Sequence, residues 1–191
     1  MHAWTFLKEF IAAPQNVGAI APSSRQLGAL VISAAKVPAA SVVVEFGPGT
    51  GAITEVLVEE VKPNATLFAL EINKDFIELL KGRFPDLNVI HDSATETRTY
   101  LDKMGLPHCD AIVSGLPWTM FSEKLQDDLL EAVLDSLRPG GIFATYMYLQ
   151  SLVMPSGIRF RRKLRDRFTR CGITETVWRN IPPARVVWGE K

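Results

Sequence analysis

Two hydrophobic patterns alternate along most of this chain. Short, nearly continuous apolar runs of strand length occur at 42–46, 66–70, 88–91, 110–113 and 142–148. Runs of this kind suit central parallel strands that are buried on both faces. Between them lie segments of helical period. One begins after Ser23 or Ser24 and runs to about residue 36, a second ends near Val61 before Pro63-Asn64, and a third covers 76–84 ahead of Pro85. A fourth covers 122–137, with Leu125, Leu129, Val133 and Leu137 on one face, and Pro139-Gly140-Gly141 then turns the chain into the fifth strand. Two last strands, 173–180 and 185–188, are joined through Ile181-Pro182-Pro183. At the other end, Trp4, Phe6, Leu7, Phe10 and Ile11 share one side of a short amphipathic helix at 3–13 that Pro14 ends. Strands alternating with helices predict an α/β fold with a mostly parallel seven-stranded sheet, closed by a C-terminal antiparallel hairpin.

Composition narrows the picture only a little. The 191 residues are 47% hydrophobic and 22% charged, which predicts one globular domain over 1–191. The formal net charge is zero, so the molecule as a whole carries no argument for nucleic acid or membrane. Cys109 and Cys171 have no His or Cys at ligand spacing, so no metal site is expected and both read as reduced thiols of a cytoplasmic protein. No signal peptide and no apolar stretch of bilayer length is recognisable, so any membrane contact is expected to be peripheral.

Ligands of a doubly wound sheet bind beyond the carboxyl ends of its strands. The first strand ends there in Glu45-Phe46-Gly47-Pro48-Gly49-Thr50-Gly51. Gly47-x-Gly49-x-x-Ala52 also satisfies a relaxed dinucleotide fingerprint, so NAD is a rival ligand. Glu45 counts against it: a carboxylate two residues before the first glycine opposes a pyrophosphate and suits the ammonium of S-adenosylmethionine (SAM), and the E-x-G-x-G-x-G spacing favours SAM as well. Glu71 closes the second strand, where an acid accepts from ribose hydroxyls. Asp92 follows the third, where an acid accepts from an adenine amino group. The candidate cofactor residues are Glu45, Phe46, Gly47, Gly49, Gly51, Glu71, Ile72, Asp92, Ser93, Ala94 and Ser114.

The glycine loop, Glu71, Asp92 and Pro139-Gly140-Gly141 together resemble the class I, Rossmann-like SAM-dependent methyltransferases over about residues 40–150. A narrower resemblance adds Phe6-Leu7, residues 16–24 (Asn-Val-Gly-Ala-Ile-Ala-Pro-Ser-Ser), Ser114-Gly115-Leu116-Pro117-Trp118 and residues 181–186 (Ile-Pro-Pro-Ala-Arg-Val). These look like bacterial phospholipid N-methyltransferases, which methylate phosphatidylethanolamine toward phosphatidylcholine; related sequences act on other amine lipids such as ornithine lipids. The chain is also similar to rRNA adenine dimethyltransferases, which carry Asn-Leu-Pro-Tyr where this chain has Gly115-Leu116-Pro117-Trp118. The missing Asn removes an acceptor for an adenine amino group and counts against a nucleobase.

The resemblance implies methyl transfer from SAM, leaving S-adenosylhomocysteine, to the amine of a phospholipid, most simply phosphatidylethanolamine. For such an amine, Gly115 and Leu116 can present backbone carbonyls, Trp118 can supply a π face to a methylated nitrogen, and Tyr146 or Tyr148, which share a strand face, can orient the amine or relay its proton. Seven bases and one acid in 159–170 give a local charge of +6 around Phe160, Leu164 and Phe168, spaced at i, i+4 and i+8. Arg161, Arg162 and Arg165 of this helix, with Trp4 and Phe10, are the expected contacts to an anionic inner membrane face. A solvated helix packed on the sheet, an RNA-binding face, and a SAM-binding protein without catalysis are the competing readings.

Overall fold

The computed structural model describes residues 25–191. The helix expected at 3–13, with Trp4 and Phe10, lies outside the described residues. The described chain runs α1 (Arg25–Ala34), β1 (Val42–Phe46), α2 (Thr54–Glu60), β2 (Thr66–Glu71), α3 (Lys74–Arg83), β3 (Asn88–His91), α4 (Thr97–Lys103), β4 (Cys109–Ser114), α5 (Glu123–Ser136) and β5 (Leu137–Tyr148). It continues through α6 (Leu149–Val153), α7 (Pro155–Arg167), β6 (Arg170–Ile173) and β7 (Ala184–Glu190). One seven-stranded sheet has the order β3-β2-β1-β4-β5-β7-β6. The first five strands are mutually parallel, and β7 pairs antiparallel with both β5 and β6. The fold is the Rossmann-like α/β architecture expected from the pattern.

The boundaries have local causes. Asn73 caps α3 by accepting from the Asp75 N–H, and Ser122 caps α5 by accepting from the Leu125 N–H. Pro155 opens α7, where its missing N–H is not needed. Alternate residues of each strand supply two cores. On one face, Val44, Phe46, Phe68, Phe143 and Phe160 pack with Leu129 and Val133 of α5. On the other, Val43, Ala111, Val113 and Val186 pack with Leu27 and Val31 of α1 and Leu57 of α2.

Three expectations change. Helix α4 was not visible in the pattern, because only Thr97 and Leu101 of its seven residues are buried. The strand expected at 173–180 is instead the short β6, and 174–183 is a loop that ends on β7. The segment 159–170 is not one helix, since α7 ends at Arg167 and Arg170 already belongs to β6.

A Cβ on Gly157 would lie 1.8 Å from the Ser151 carbonyl oxygen. Gly157→Ala should therefore force α6 and α7 apart and cost about 1–3 kcal/mol or more. Urea unfolding of the two proteins checks this, as an unchanged midpoint would contradict the packing.

Candidate active site

Three loops leave the sheet side by side, because Phe46 pairs with both Leu70 and Ser114. Gly47, Gly49 and Gly51 have φ of +62°, +57° and +85°, a region that side chains resist. A Cβ on Gly47 would meet Leu116 Cδ2 at 2.5 Å, and one on Gly115 would meet the Gly47 oxygen at 2.6 Å. The β1 and β4 loops thus touch because both are glycine at the contact, and the Gly115 N–H donates to the Phe46 carbonyl at 2.8 Å. Gly49 faces open space. Gly51 differs: a Cβ there would strike Phe84 at 2.8 Å, so this glycine lets α3 pack against the loop. Arg83 donates to the Thr50 carbonyl and pairs with Glu55, clipping the loop from the outside.

Each of the three acids is held. Glu71 accepts from the N–H groups of Gly49 at 3.1 Å, Ile72 at 2.8 Å and Asn73 at 2.9 Å. Asp92 accepts from the Ser93 N–H and from the Tyr100 hydroxyl, both at 2.8 Å. Glu45 is only 1% exposed. One of its oxygens accepts from the Thr54 hydroxyl at 2.8 Å, and Oε1 has no hydrogen-bond partner among the described residues. Burial pushes its pKa up to about 8, the Thr54 bond opposes this, and the charge of Glu71 adds to it. His91 Nε2 lies 3.1 Å from the Ile72 carbonyl and ties the β2 and β3 loops together. Tyr100, Thr54 and Arg83 carried no local sequence signal; they reach their partners 8, 9 and 33 residues away.

Several candidates face elsewhere. Phe46 is buried in the core, as is the side chain of Ala94. Ser93 caps the turn at Ala94–Glu96 through its hydroxyl. Ser114 is consumed internally: its hydroxyl accepts from the Leu116 N–H and the Trp118 indole N–H, and its carbonyl accepts from Thr145. Trp118 is the largest correction. Its indole is buried, stacked on Phe160 at 4.9 Å and edge-on to Phe143 at 5.3 Å. That ring anchors the β4 loop to α7 and offers no face to a substrate.

Tyr146 and Tyr148 pack on the opposite side of the sheet from Trp118, so the three aromatics do not converge. The two tyrosines do meet each other, with ring centroids 5.7 Å apart. Burial, followed by the charge and hydrogen bond of Tyr146, raises the Tyr148 pKa above that of an ordinary phenol. The Leu116 carbonyl is occupied by the Trp118 N–H at 2.9 Å, whereas no hydrogen bond among the described residues reaches the Gly115 carbonyl.

A methyltransferase domain family matches residues 43–141. An ornithine lipid N-methyltransferase from Singulisphaera acidiphila is 33% identical over 94% of this chain and 91% of its own length. The chain belongs to the class I SAM-dependent methyltransferases. A ribosomal RNA small subunit methyltransferase A from Paraburkholderia xenovorans is 48% identical over 85 residues, which are 43% of this chain and 31% of that protein. The fold is shared with the O-methyltransferase TomG from Streptomyces achromogenes, solved with SAM (TM-score 0.70, 17% identity, 97% of this chain and 89% of that one). It is shared equally with an O-methyltransferase from Bacillus cereus solved with S-adenosylhomocysteine (TM-score 0.70, 13% identity, 100% and 91%). The cofactor of this methyltransferase is SAM.

The loops of this methyltransferase fit that cofactor. The open space at Gly49 admits a ligand to the backbone, and Glu45 Oε1 is a buried acceptor that lacks a donor among the described residues. The basic helix contributes less than its charge promised. Phe160, Leu164 and Phe168 are buried, Arg159 pairs with Glu123, Lys163 and Arg167 with Asp127, and Arg170 with Glu190. Arg161 turns back to the Leu152 carbonyl at 2.9 Å, so it is removed from the expected lipid contacts. Arg162 and Arg165 are exposed and make no ion pair among the described residues. Among those residues no helix is long and apolar enough to cross a membrane.

Glu45 generates a pH prediction. Its raised folded-state pKa means that the folded state holds the proton longer than the unfolded chain. Its contribution to stability is therefore greatest below the unfolded value and is lost as pH rises to about 8. Glu45→Gln should gain stability relative to wild type across that interval and no further above it, as read from unfolding midpoints at several pH values. Trp118→Ala should cost about 3–5 kcal/mol, the range for a buried aromatic. A folded, equally stable Trp118→Ala protein that turns over slowly would return the ring to the acceptor site.

Proposed function

We propose that this methyltransferase transfers methyl groups to the primary amine of a membrane lipid, with ornithine lipid and phosphatidylethanolamine as the two head groups to test. The likeness to a lipid N-methyltransferase over nearly the whole chain carries this reading, because the likeness to an rRNA enzyme spans 43% of it. The absence of Asn before Leu116-Pro117 points the same way. In this reading Glu45 takes the cofactor's ammonium at Oε1, Glu71 the ribose hydroxyls and Asp92 the adenine amino group. Arrival of a cation at Glu45 favours its ionised form, so cofactor binding releases a proton from it.

The cofactor supplies a methyl group already activated on a sulfonium. The chain's task is to hold a neutral amine in line with it and to keep water out. A lipid amine is protonated in water, and a desolvated pocket favours loss of that proton. The Gly115 carbonyl orients the remaining N–H. Tyr148 keeps its own proton at neutral pH, so it serves as a hydrogen-bonding group rather than as a base, with Tyr146 fixing its direction. Anionic membrane association through Arg162 and Arg165, at the cytoplasmic face, belongs to the same reading.

Labelled SAM offered together with amine-lipid vesicles, rRNA and soluble amines tests it. Label should enter the lipid fraction on thin-layer separation, and label found only in rRNA or soluble amines overturns the acceptor. Tyr148→Phe should lower turnover about tenfold, the size of one lost hydrogen bond, with SAM affinity unchanged.

A further inference from the structure

The loop 174–183 is held from both sides. Val177 is buried, and its N–H donates to the Ala184 carbonyl at 2.8 Å; Asn180 is buried, and its Nδ2 donates to the Pro182 carbonyl at 2.6 Å. With 177 and 180 turned in, Trp178, Arg179 and Ile181 are turned out, and Trp178 and Ile181 are each 71% exposed. The loop ends at Ala184, the partner of Tyr148, and the Leu149 N–H donates to the Pro183 carbonyl at 3.0 Å. It therefore stands at the carboxyl end of the parallel strands, beside α6. There the turn from α6 into α7 exposes Val153 at 75% and Met154 at 50%.

Single exposed apolar residues are ordinary on a protein surface; a group of them at the mouth of a binding end is not. A tryptophan held outward is suited to a lipid–water boundary, because its ring is apolar and its N–H stays wet. Two exposed cations lie nearby along the chain, Arg179 on the same loop and Arg162 two turns into α7; neither makes an ion pair among the described residues. A protein partner would have to bring acids to match each of these, whereas an anionic bilayer presents phosphates everywhere.

We propose that the loop 174–183 and the α6–α7 turn form an interfacial insertion surface that dips Trp178, Ile181, Val153 and Met154 into the head-group layer of an anionic bilayer. Arg162 and Arg179 meet lipid phosphates beside it. This surface rests on the amine-lipid reading for its purpose: it brings the acceptor end of the sheet to the depth of the head group, so the lipid need not leave the bilayer.

The test compares wild type, Trp178→Ser/Ile181→Ser, Trp178→Phe and, as a control elsewhere on the surface, Leu79→Ser. Sedimentation with phosphatidylcholine vesicles, with and without phosphatidylglycerol, should show the double variant binding anionic vesicles about tenfold more weakly or worse. Leu79→Ser should bind like wild type, and all four proteins should keep their melting behaviour and SAM affinity. Brominated lipid should quench wild type more than Trp178→Phe. Equal vesicle binding with no Trp178-dependent quenching overturns the surface, as does a wild-type dimer that the double variant converts to monomer. If the double variant loses vesicle binding but wild type methylates no lipid, the surface stands and the lipid acceptor falls. If both proteins bind and methylate lipid alike, the surface alone falls.

Discussion

A carboxylate buried where three loops leave a parallel sheet must find donors or give up its charge. Glu71 finds three, all backbone N–H groups, and one of them belongs to Gly49 in the neighbouring loop. That bond joins the end of β2 to the end of β1 and holds the glycine loop open where a Cβ would meet nothing. Glu45 is placed differently: burial, with the charge of Glu71 adding to it, pushes its pKa up to about 8 against the Thr54 hydrogen bond, and its Oε1 has no donor among the described residues. Two acids 26 residues apart in the chain thus meet opposite surroundings, one ringed by backbone donors and one short of them.

The far wall of the site is built by exclusion. Trp118 lies after β4, where aromatic recognition of an acceptor is attractive on chemical grounds. Its indole N–H instead goes to Ser114, and its ring stacks on Phe160. What it contributes is a fixed β4 loop, with Gly115 pressed against Gly47 and the Gly115 carbonyl without a donor among the described residues. Beyond the end of β4, β5 continues through Tyr146 and Tyr148, the residues to which the proposed reading gives the acceptor.

Charge on this protein is mostly used internally. Most of the bases in 159–170 meet acids or carbonyls of α5, α6 and β7, so the helix that looked most like a membrane anchor is largely a structural clamp. Among the described residues of that helix, Arg162 and Arg165 are left exposed without an ion pair. Position, not total charge, decides what this surface can meet.

The first five strands, the glycine loop and the acids at 45, 71 and 92 were legible in the sequence because each is a local signal: an apolar run followed by a turn or an acid. Strand direction alone then places those acids at one end of the sheet. The destination of Trp118 was not legible, because Phe143 and Phe160 lie 25 and 42 residues further on and only packing brings them to it. Nor was the capping of Asp92 by Tyr100, which required α4, a helix whose short buried stripe gives almost no periodicity. The ending of the chain was misread for a related reason. Residues 174–180 are rich in the Thr, Val and Trp of strands, yet only Val177 finds a ladder partner in Ala184, and Trp178 is left facing water. Local pattern determined the fold and the cofactor end; the tertiary contacts alone decided which charges were neutralised, which aromatic was core and which was surface, since each of those depends on residues that the chain brings together from a distance.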